Sequence, residues 1–177
     1  MEVILVNEQD EPIGNMGKME AHQTGKLHRA FSVFIFDAEG RMLLQQRALN
    51  KYHSGGLWTN ACCSHPRPGE NTTMEAKRRL KEELGFDTAL RPMFQFTYRA
   101  AFENGLAEHE FDHVFYGQYA GIIDADPNEV LSYRYESMEE IERQLEQQPE
   151  KFTVWFRIAF LRVREWLQNL NIEHRIR

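Results

Sequence analysis

The sequence predicts one α/β (α+β) domain, spanning residues 1–177, in which helices pack on largely antiparallel sheets. Three observations carry that expectation. A chain of 177 residues can bury one substantial core and has little left for a second. Apolar runs rich in Val, Ile and Phe recur between turn residues, as strands require. Two longer segments, 72–84 and 153–170, repeat apolar residues every three or four positions, the period of a helix with one buried face.

Taken in order, VILV (3–6) reads as a short strand and EQDEPIG (8–14) as a turn. AFSVFIFDAEGRMLLQQR (30–47) has two apolar runs parted by Asp-Ala-Glu-Gly, the pattern of a β-hairpin. From Ala48 to Glu70, Gly, Pro, Ser and Asn occur at loop density. TTMEAKRRLKEELG then predicts a helix, with Thr72 and Glu75 as a capping box. Ala76, Leu80 and Leu84 make its buried stripe, and Gly85 its left-handed terminator. Phe94, Phe96 and Tyr98 alternate along a strand at 94–100, and Asn104-Gly105 turns the chain into a second strand at 107–119. LSYRYESMEEI passes from strand to helix through a second capping box, Ser137 and Glu140. Phe156, Phe160, Val163, Leu167 and Leu170 mark the closing helix.

Composition excludes several function classes. Hydrophobic residues make up 42% of the chain and charged residues 27%, the balance of a globular protein. The net charge of -6 opposes non-specific nucleic-acid binding, yet a local group of Lys and Arg can still hold a small anion. No apolar run approaches the roughly 18 residues that span a bilayer, and MEVILVNEQDEP lacks the features of a secretory signal. The expectation is a cytoplasmic protein with neither a membrane nor a nucleic-acid partner. Cys62 and Cys63 are the only cysteines and are adjacent. A bridge between neighbours closes a strained ring and cross-links no loop, so both are expected as free thiols. NACCSHPRPGE (60–70) is left as a metal site or a reactive thiol.

The helix at 72–84 adds a clue. Arg78 and Glu82, like Arg79 and Glu83, stand four apart and share a face, which by itself fits a solvated surface with ion pairs. Glu70, seven further residues, Arg78, then x-Leu-x-Glu-Glu-x-Gly-Phe resembles the Nudix box, G-x5-E-x7-R-E-U-x-E-E-x-G-U. In that family a loop–helix–loop arranges carboxylates around a divalent ion that holds a diphosphate. Two positions depart: Ser64 stands at the opening Gly, and Arg79 replaces the Glu that serves hydrolysis. The departures point to diphosphate binding without diphosphate hydrolysis. Elsewhere, Glu108 and Glu110 stand two apart on one face of a strand; with His22, His28 and His65 they would make a mixed N/O set suited to Mn²⁺, Zn²⁺ or Fe²⁺, although a lone His is more often a satisfied surface or core residue and spacing leaves their convergence open.

A more specific resemblance covers nearly the whole chain. LHRAFSVFIFD, QQRAL, GLWTNACCSHP, RRLKEELG, FTYRA and EHEFDHVF occur in the order and spacing of the type I isopentenyl-diphosphate isomerases, a Nudix-like family. The resemblance implies isomerisation of isopentenyl diphosphate to dimethylallyl diphosphate in isoprenoid biosynthesis. It places the catalytic cysteine at Cys63, with Glu110 and Tyr98 as its partners, and leaves Cys62 as a small buried hydrophobe. His22, His28, His65, Glu108 and Glu110 fall on the ligands of a tight Mn²⁺ or Zn²⁺ site. Glu83, with the Cys63 backbone, falls where Mg²⁺ arrives with substrate, and Lys18, Arg47, Lys51, Ser64 and Arg79 match diphosphate-contacting positions. Trp155 matches an active-site aromatic that steadies positive charge, its alternative being a core Trp of an amphipathic helix. The implied partner is a small diphosphate, and the implied state a monomer or weak dimer.

Double-bond migration requires a proton delivered to an unactivated alkene and another removed from the neighbouring carbon, so an acid and a base must flank a dry pocket. Two other readings are compatible with parts of the sequence. A Nudix nucleoside-diphosphate hydrolase would release phosphate from nucleotides, and a metal-stabilised binding module would tolerate Cys63→Ala.

Overall fold

In the computed structural model, residues 1–176 are described, with side chains as far as Leu170. The described residues form one sheet network of nine strands, flanked by four α-helices. β1 (Glu2–Val6) and β2 (Pro12–Gly17) make an antiparallel hairpin. The turn is thus tighter than expected: the Asn7 side-chain oxygen accepts from the Gln9 and Glu11 N–H groups, so pairing resumes at Pro12. A short helix, α1 (Lys18–Thr24), follows and ends on left-handed Gly25.

β3 (His28–Phe36) and β4 (Met42–Arg47) are the expected hairpin arms, but they pair only at Phe36 and Met42. Beyond that point the arms part, and the supposed loop supplies a partner to each. β5 (Trp58–Thr59) pairs with β4, and β6 (Cys62–Ser64) with β3. The buried Asn60 amide donates to the Val33 and Cys62 carbonyls and holds the split open.

α2 (Thr72–Leu84) has the expected length, but its cap is Asn71, whose side chain accepts from the Met74 N–H at 3.1 Å. Asn caps as well as Thr and stands one residue earlier, so the Thr72–Glu75 box does not form, and Glu75 pairs with Arg78 instead. Gly85 has φ +77°, and a Cβ there would lie 2.4 Å from the Asp124 carbonyl oxygen, so the position demands glycine. β7 (Leu90–Ala101) and β8 (Ala107–Gln118) form a long antiparallel ribbon around Gly105. β8 also runs parallel to β3, with α2 in the intervening crossover. β9 (Val130–Glu136) joins β4 and leads into α3 (Met138–Gln147). Half of the second capping box forms: Ser137 accepts from the Glu140 N–H, while the Glu140 carboxylate turns to Arg143.

The near-continuous apolar run of β3 is explained by burial on both faces. Phe31, Val33 and Ile35 pack with Ala76, Leu80 and Leu84 of α2. Phe34 and Phe36 pack with Phe156, Phe160 and Val163 of the closing helix, α4 (Val154–Ile176). Leu167 continues that stripe at the margin of the core.

Candidate active site

Strand register assembles the site. Parallel pairing sets His28 of β3 opposite Glu110 of β8, and the β7–β8 ribbon sets Tyr98 opposite the same Glu110. Cys63 of β6 stands opposite Ser32 of β3. The last turn of α1 adds His22, and the chain leaving β6 adds His65.

His22, His28, His65 and Glu110 are buried, and one ligand atom from each lies within 4.8 Å of the others. His65 Nε2 is 2.8 Å from Glu110 Oε1, and His28 Nε2 is 3.6 Å from the same oxygen. His28 Nδ1 meets the Lys26 carbonyl at 2.8 Å; an N–H donated there leaves the Nε2 lone pair facing the cluster. Both ring nitrogens of His22, Nε2 of His28 and Nδ1 of His65 are buried with no hydrogen-bond partner. Orphaned polar atoms at this density are costly unless another group satisfies them. Burial, then repulsion from His65 and His28, pulls His22 down to about 3, and burial pulls His65 down to about 4, so both rings are neutral. Burial opposes charge on Glu110, but His65 and His28 outweigh it and hold that carboxyl well below the usual range. Burial pulls on His28 as well, but the neighbouring Glu110 outweighs it and raises that ring, and three imidazoles with one carboxylate are the chemistry of a borderline divalent metal site.

Glu108 stands at the edge of this cluster. Its Oε2 accepts from the Tyr98 hydroxyl at 3.0 Å, a hydroxyl that also reaches Glu110 Oε2 at 2.7 Å. Burial and then the Glu110 charge push the Glu108 carboxyl up to about 8. Glu108 Oε1 lies 3.1 Å from His53 Nε2.

Cys62 and Cys63 are separated by the pleat of β6. Cys62 is fully buried in the core over α2, whereas Cys63 lines the cavity beside Tyr98, Glu108 and Glu110. The Cys63 thiol donates to Asn60 Oδ1 at 3.2 Å, and Ser32 Oγ, itself hydrogen bonded to Asp112, lies 3.5 Å from the sulfur. Burial, then the nearby Asp112, pushes this thiol up, so it carries its proton at neutral pH.

The opposite wall is cationic. Lys18, Arg47, Lys51 and Arg79 line the same cavity, as do Ser64 and Glu83. Lys51 pairs with Glu129, and Arg79 contacts Glu83 Oε1 at 2.8 Å and Glu82 Oε2 at 2.6 Å. The Nε groups of Arg47 and Arg79 are buried donors without partners, and four cations in one cavity suit a di-anionic or tri-anionic group. Glu83 accepts from the Gln45 amide at 3.0 Å; burial pushes its carboxyl up against the opposing pull of Arg79. Trp155, at the start of α4, presents its ring to Arg47 at 5.2 Å. Its ring both lines the cavity and joins the core.

Six further residues reach the cavity unannounced by the sequence: Ser32, Gln45, Tyr52, His53, Thr59 and Glu129. None sits in a periodic pattern. Asp112, behind Cys63, did carry a signal, since it continues the i, i+2 alternation of Glu108 and Glu110 on β8.

Comparison with known proteins is consistent with this geometry. Residues 26–156 match the NUDIX domain family. The chain is 51% identical over 172 residues to the isopentenyl-diphosphate Delta-isomerase of Pectobacterium atrosepticum, covering 97% of this chain and 96% of that relative. It is 53% identical over 154 residues to the protein of the same name from Burkholderia multivorans, covering 87% and 88% of the two chains. Among solved structures, DR0079 from Deinococcus radiodurans superposes with a TM-score of 0.77 at 17% identity, over 92% of this chain and 98% of that one. A MutT protein from Methanosarcina mazei superposes with a TM-score of 0.63 at 20% identity, over 77% and 91%. With the fold of the one group and half the sequence of the other, the chain belongs to the NUDIX superfamily and, within it, to the isopentenyl-diphosphate Delta-isomerase family.

Proposed function

We propose that this protein converts isopentenyl diphosphate to dimethylallyl diphosphate by protonating the terminal alkene carbon and removing a proton from the carbon next to the cationic centre. The observation that carries the reading is one cavity lined by a thiol, a carboxylate hydrogen bonded to a phenol, and four cations. Lys18, Arg47, Lys51 and Arg79 take the diphosphate, together with Ser64. Cys63 and Glu110 are the proton-carrying pair, one on each side of the five-carbon chain, and Tyr98 orients Glu110. No atom is lost: one proton enters, one leaves, and the double bond moves by one carbon. The Trp155 ring lends its negative face to the passing charge, worth about 2 kcal/mol in a desolvated site.

His22, His28, His65 and Glu110 would hold a tight Mn²⁺ or Zn²⁺, with Glu108 as the fifth ligand. Glu83 and the Cys63 backbone would hold Mg²⁺ brought by the substrate. The metals supply charge that fixes the orientation of carboxylate and diphosphate. Residues 1–177 act as one domain, in the cytoplasm, as a monomer or weak dimer; no described helix is long and apolar enough to cross a membrane. Proton NMR of isopentenyl diphosphate incubated with the protein and Mg²⁺ tests the reading. The vinylidene signals should give way to those of the allylic product. Unchanged substrate, or release of phosphate in its place, overturns it.

A further inference from the structure

Asn60 is fully buried behind Cys63 and is not among the residues that line the cavity. Its hydrogen bonds leave it one orientation. The side-chain NH₂ donates to the Val33 carbonyl at 3.0 Å and to the Cys62 carbonyl at 2.9 Å. Carbonyl oxygens only accept, so a flipped amide would set oxygen against oxygen at both positions. Oδ1 therefore faces the other way, where it meets the Thr59 hydroxyl at 3.0 Å and the Cys63 sulfur at 3.2 Å. The hydroxyls behind it are ordered in the same sense. Thr153 Oγ1 donates to Thr59 Oγ1 at 2.9 Å, and Thr59 donates onward to Asn60. Thr153 in turn receives the Phe156 N–H at 3.4 Å, in the first turn of the helix that carries Trp155. An amide oxygen has no proton to give, so in the contact with Asn60 the Cys63 thiol is the donor. The one competing acceptor nearby, Ser32 Oγ, is more distant at 3.5 Å and gives its own proton to Asp112 at 2.7 Å.

We propose that Asn60 is a positioning residue for the reacting thiol: its carbonyl oxygen anchors the Cys63 S–H, so that the place of the sulfur and the direction of its proton are set before substrate enters. The inference rests on reading Cys63 as a proton-carrying group. A side chain already held in one geometry has no ordering left to do when the proton moves. The hydroxyl chain ties that anchor to the start of α4, so the Cys63 thiol and the Trp155 ring are held on one frame.

The test reads the S–H stretch of Cys63 by infrared spectroscopy, on protein carrying Cys62→Ala so that Cys63 is the only thiol. With Asn60 in place the band should be single and lie at the lower frequency of a hydrogen-bonded thiol. A free-thiol frequency there overturns the proposal before any Asn60 variant is made. Asn60→Ala should move the band up to the free-thiol position and broaden it. The same change should lower kcat roughly three- to tenfold, the loss of one neutral hydrogen bond, and leave KM for isopentenyl diphosphate unchanged, because Asn60 does not reach the diphosphate wall. Ser32→Ala should leave the band in place; a shift there and none with Asn60→Ala hands the role to Ser32 and overturns the proposal. Should Asn60→Ala fail to fold, Thr59→Val carries the test. It keeps both Asn60 donations and leaves Oδ1 to the thiol alone, so the band should move further down, and an unmoved band overturns the proposal. Cys63→Ser separates the two levels. If it abolishes turnover while Asn60→Ala keeps full kcat, the positioning role alone falls; if Cys63→Ser also turns over, the reading of Cys63 falls and the inference with it.

Discussion

Removing a single oxygen, by Tyr98→Phe, tests the most demanding feature of the site. One phenolic proton serves two buried carboxylates, at 3.0 Å to Glu108 and 2.7 Å to Glu110. The phenyl ring itself is retained, stacked on Phe96 at 5.6 Å, so packing is unchanged. A hydrogen bond to a charged group contributes about 1.5–3 kcal/mol, and its loss here also removes the donor that Glu108 and Glu110 share. For a chain of 177 residues each kcal/mol corresponds to about 2–4 °C in Tm, so the metal-free variant should melt roughly 3–12 °C lower. Bound metal supplies positive charge to the same carboxylates, so the deficit should shrink when the ion is added. If the Tyr98 hydroxyl also steadies Glu110 while protons move, kcat/KM should fall about ten- to a hundred-fold, since about 1.4 kcal/mol is one decade. Thermal unfolding with and without Mn²⁺ or Zn²⁺, alongside turnover of isopentenyl diphosphate, reads all three effects. A Tm deficit identical in both states, with turnover unchanged, would mean that the shared proton is incidental.

Two further substitutions probe the thiol and the anion wall. Cys63→Ser can keep contacts with Asn60 and Ser32 and should fold normally while losing nearly all isomerisation, whereas Cys62→Ala removes a core sulfur and should cost about 1 kcal/mol of stability with turnover retained; equal losses of turnover from both would sink the assignment of Cys63. Arg79→Glu, which restores the Nudix consensus, puts a carboxylate among Glu82, Glu83 and Glu129 and should weaken substrate binding more than tenfold without brisk phosphate release, as measured by affinity, isomerisation rate and phosphate assay on the one variant.

Which parts of the site were legible in the sequence follows from which parts depend on local chemistry. Glu108 and Glu110 could be read because a strand alternates its faces, and α2 because its stripe and its Gly85 terminator are local signals. His22 lies on a seven-residue helix, less than two turns, too short to show a period. The meeting of His28 with Glu110 depends on a parallel register between strands more than seventy residues apart, which side-chain alternation leaves undetermined. The split between β3 and β4 was hidden for a similar reason: a buried Asn60 decides it, and no pattern announces a buried amide. His53 sits among Ser and Gly in a loop where neither period applies.

On the proposed function, the helix of the Nudix box accounts for a fold that holds a diphosphate without cutting it. Glu83 and Glu129 remain beside the cavity, but Arg79 lies between them, 2.8 Å from one and 3.8 Å from the other. In a hydrolase pattern a third carboxylate would stand there and help activate water. Here a cation occupies the position, its Nε still unpartnered and buried at the cavity wall. The same change that removes a base for water adds a donor for phosphate oxygen. The rings of Trp155, Tyr52 and Tyr98 also line the cavity, and apolar walls of this kind are poorly suited to organising water for attack. A pocket built so would favour protons carried by side chains over hydroxide carried by metal, and on the proposed function Cys63, half-buried and protonated beside an Asp112-bound Ser32, is the group that carries one.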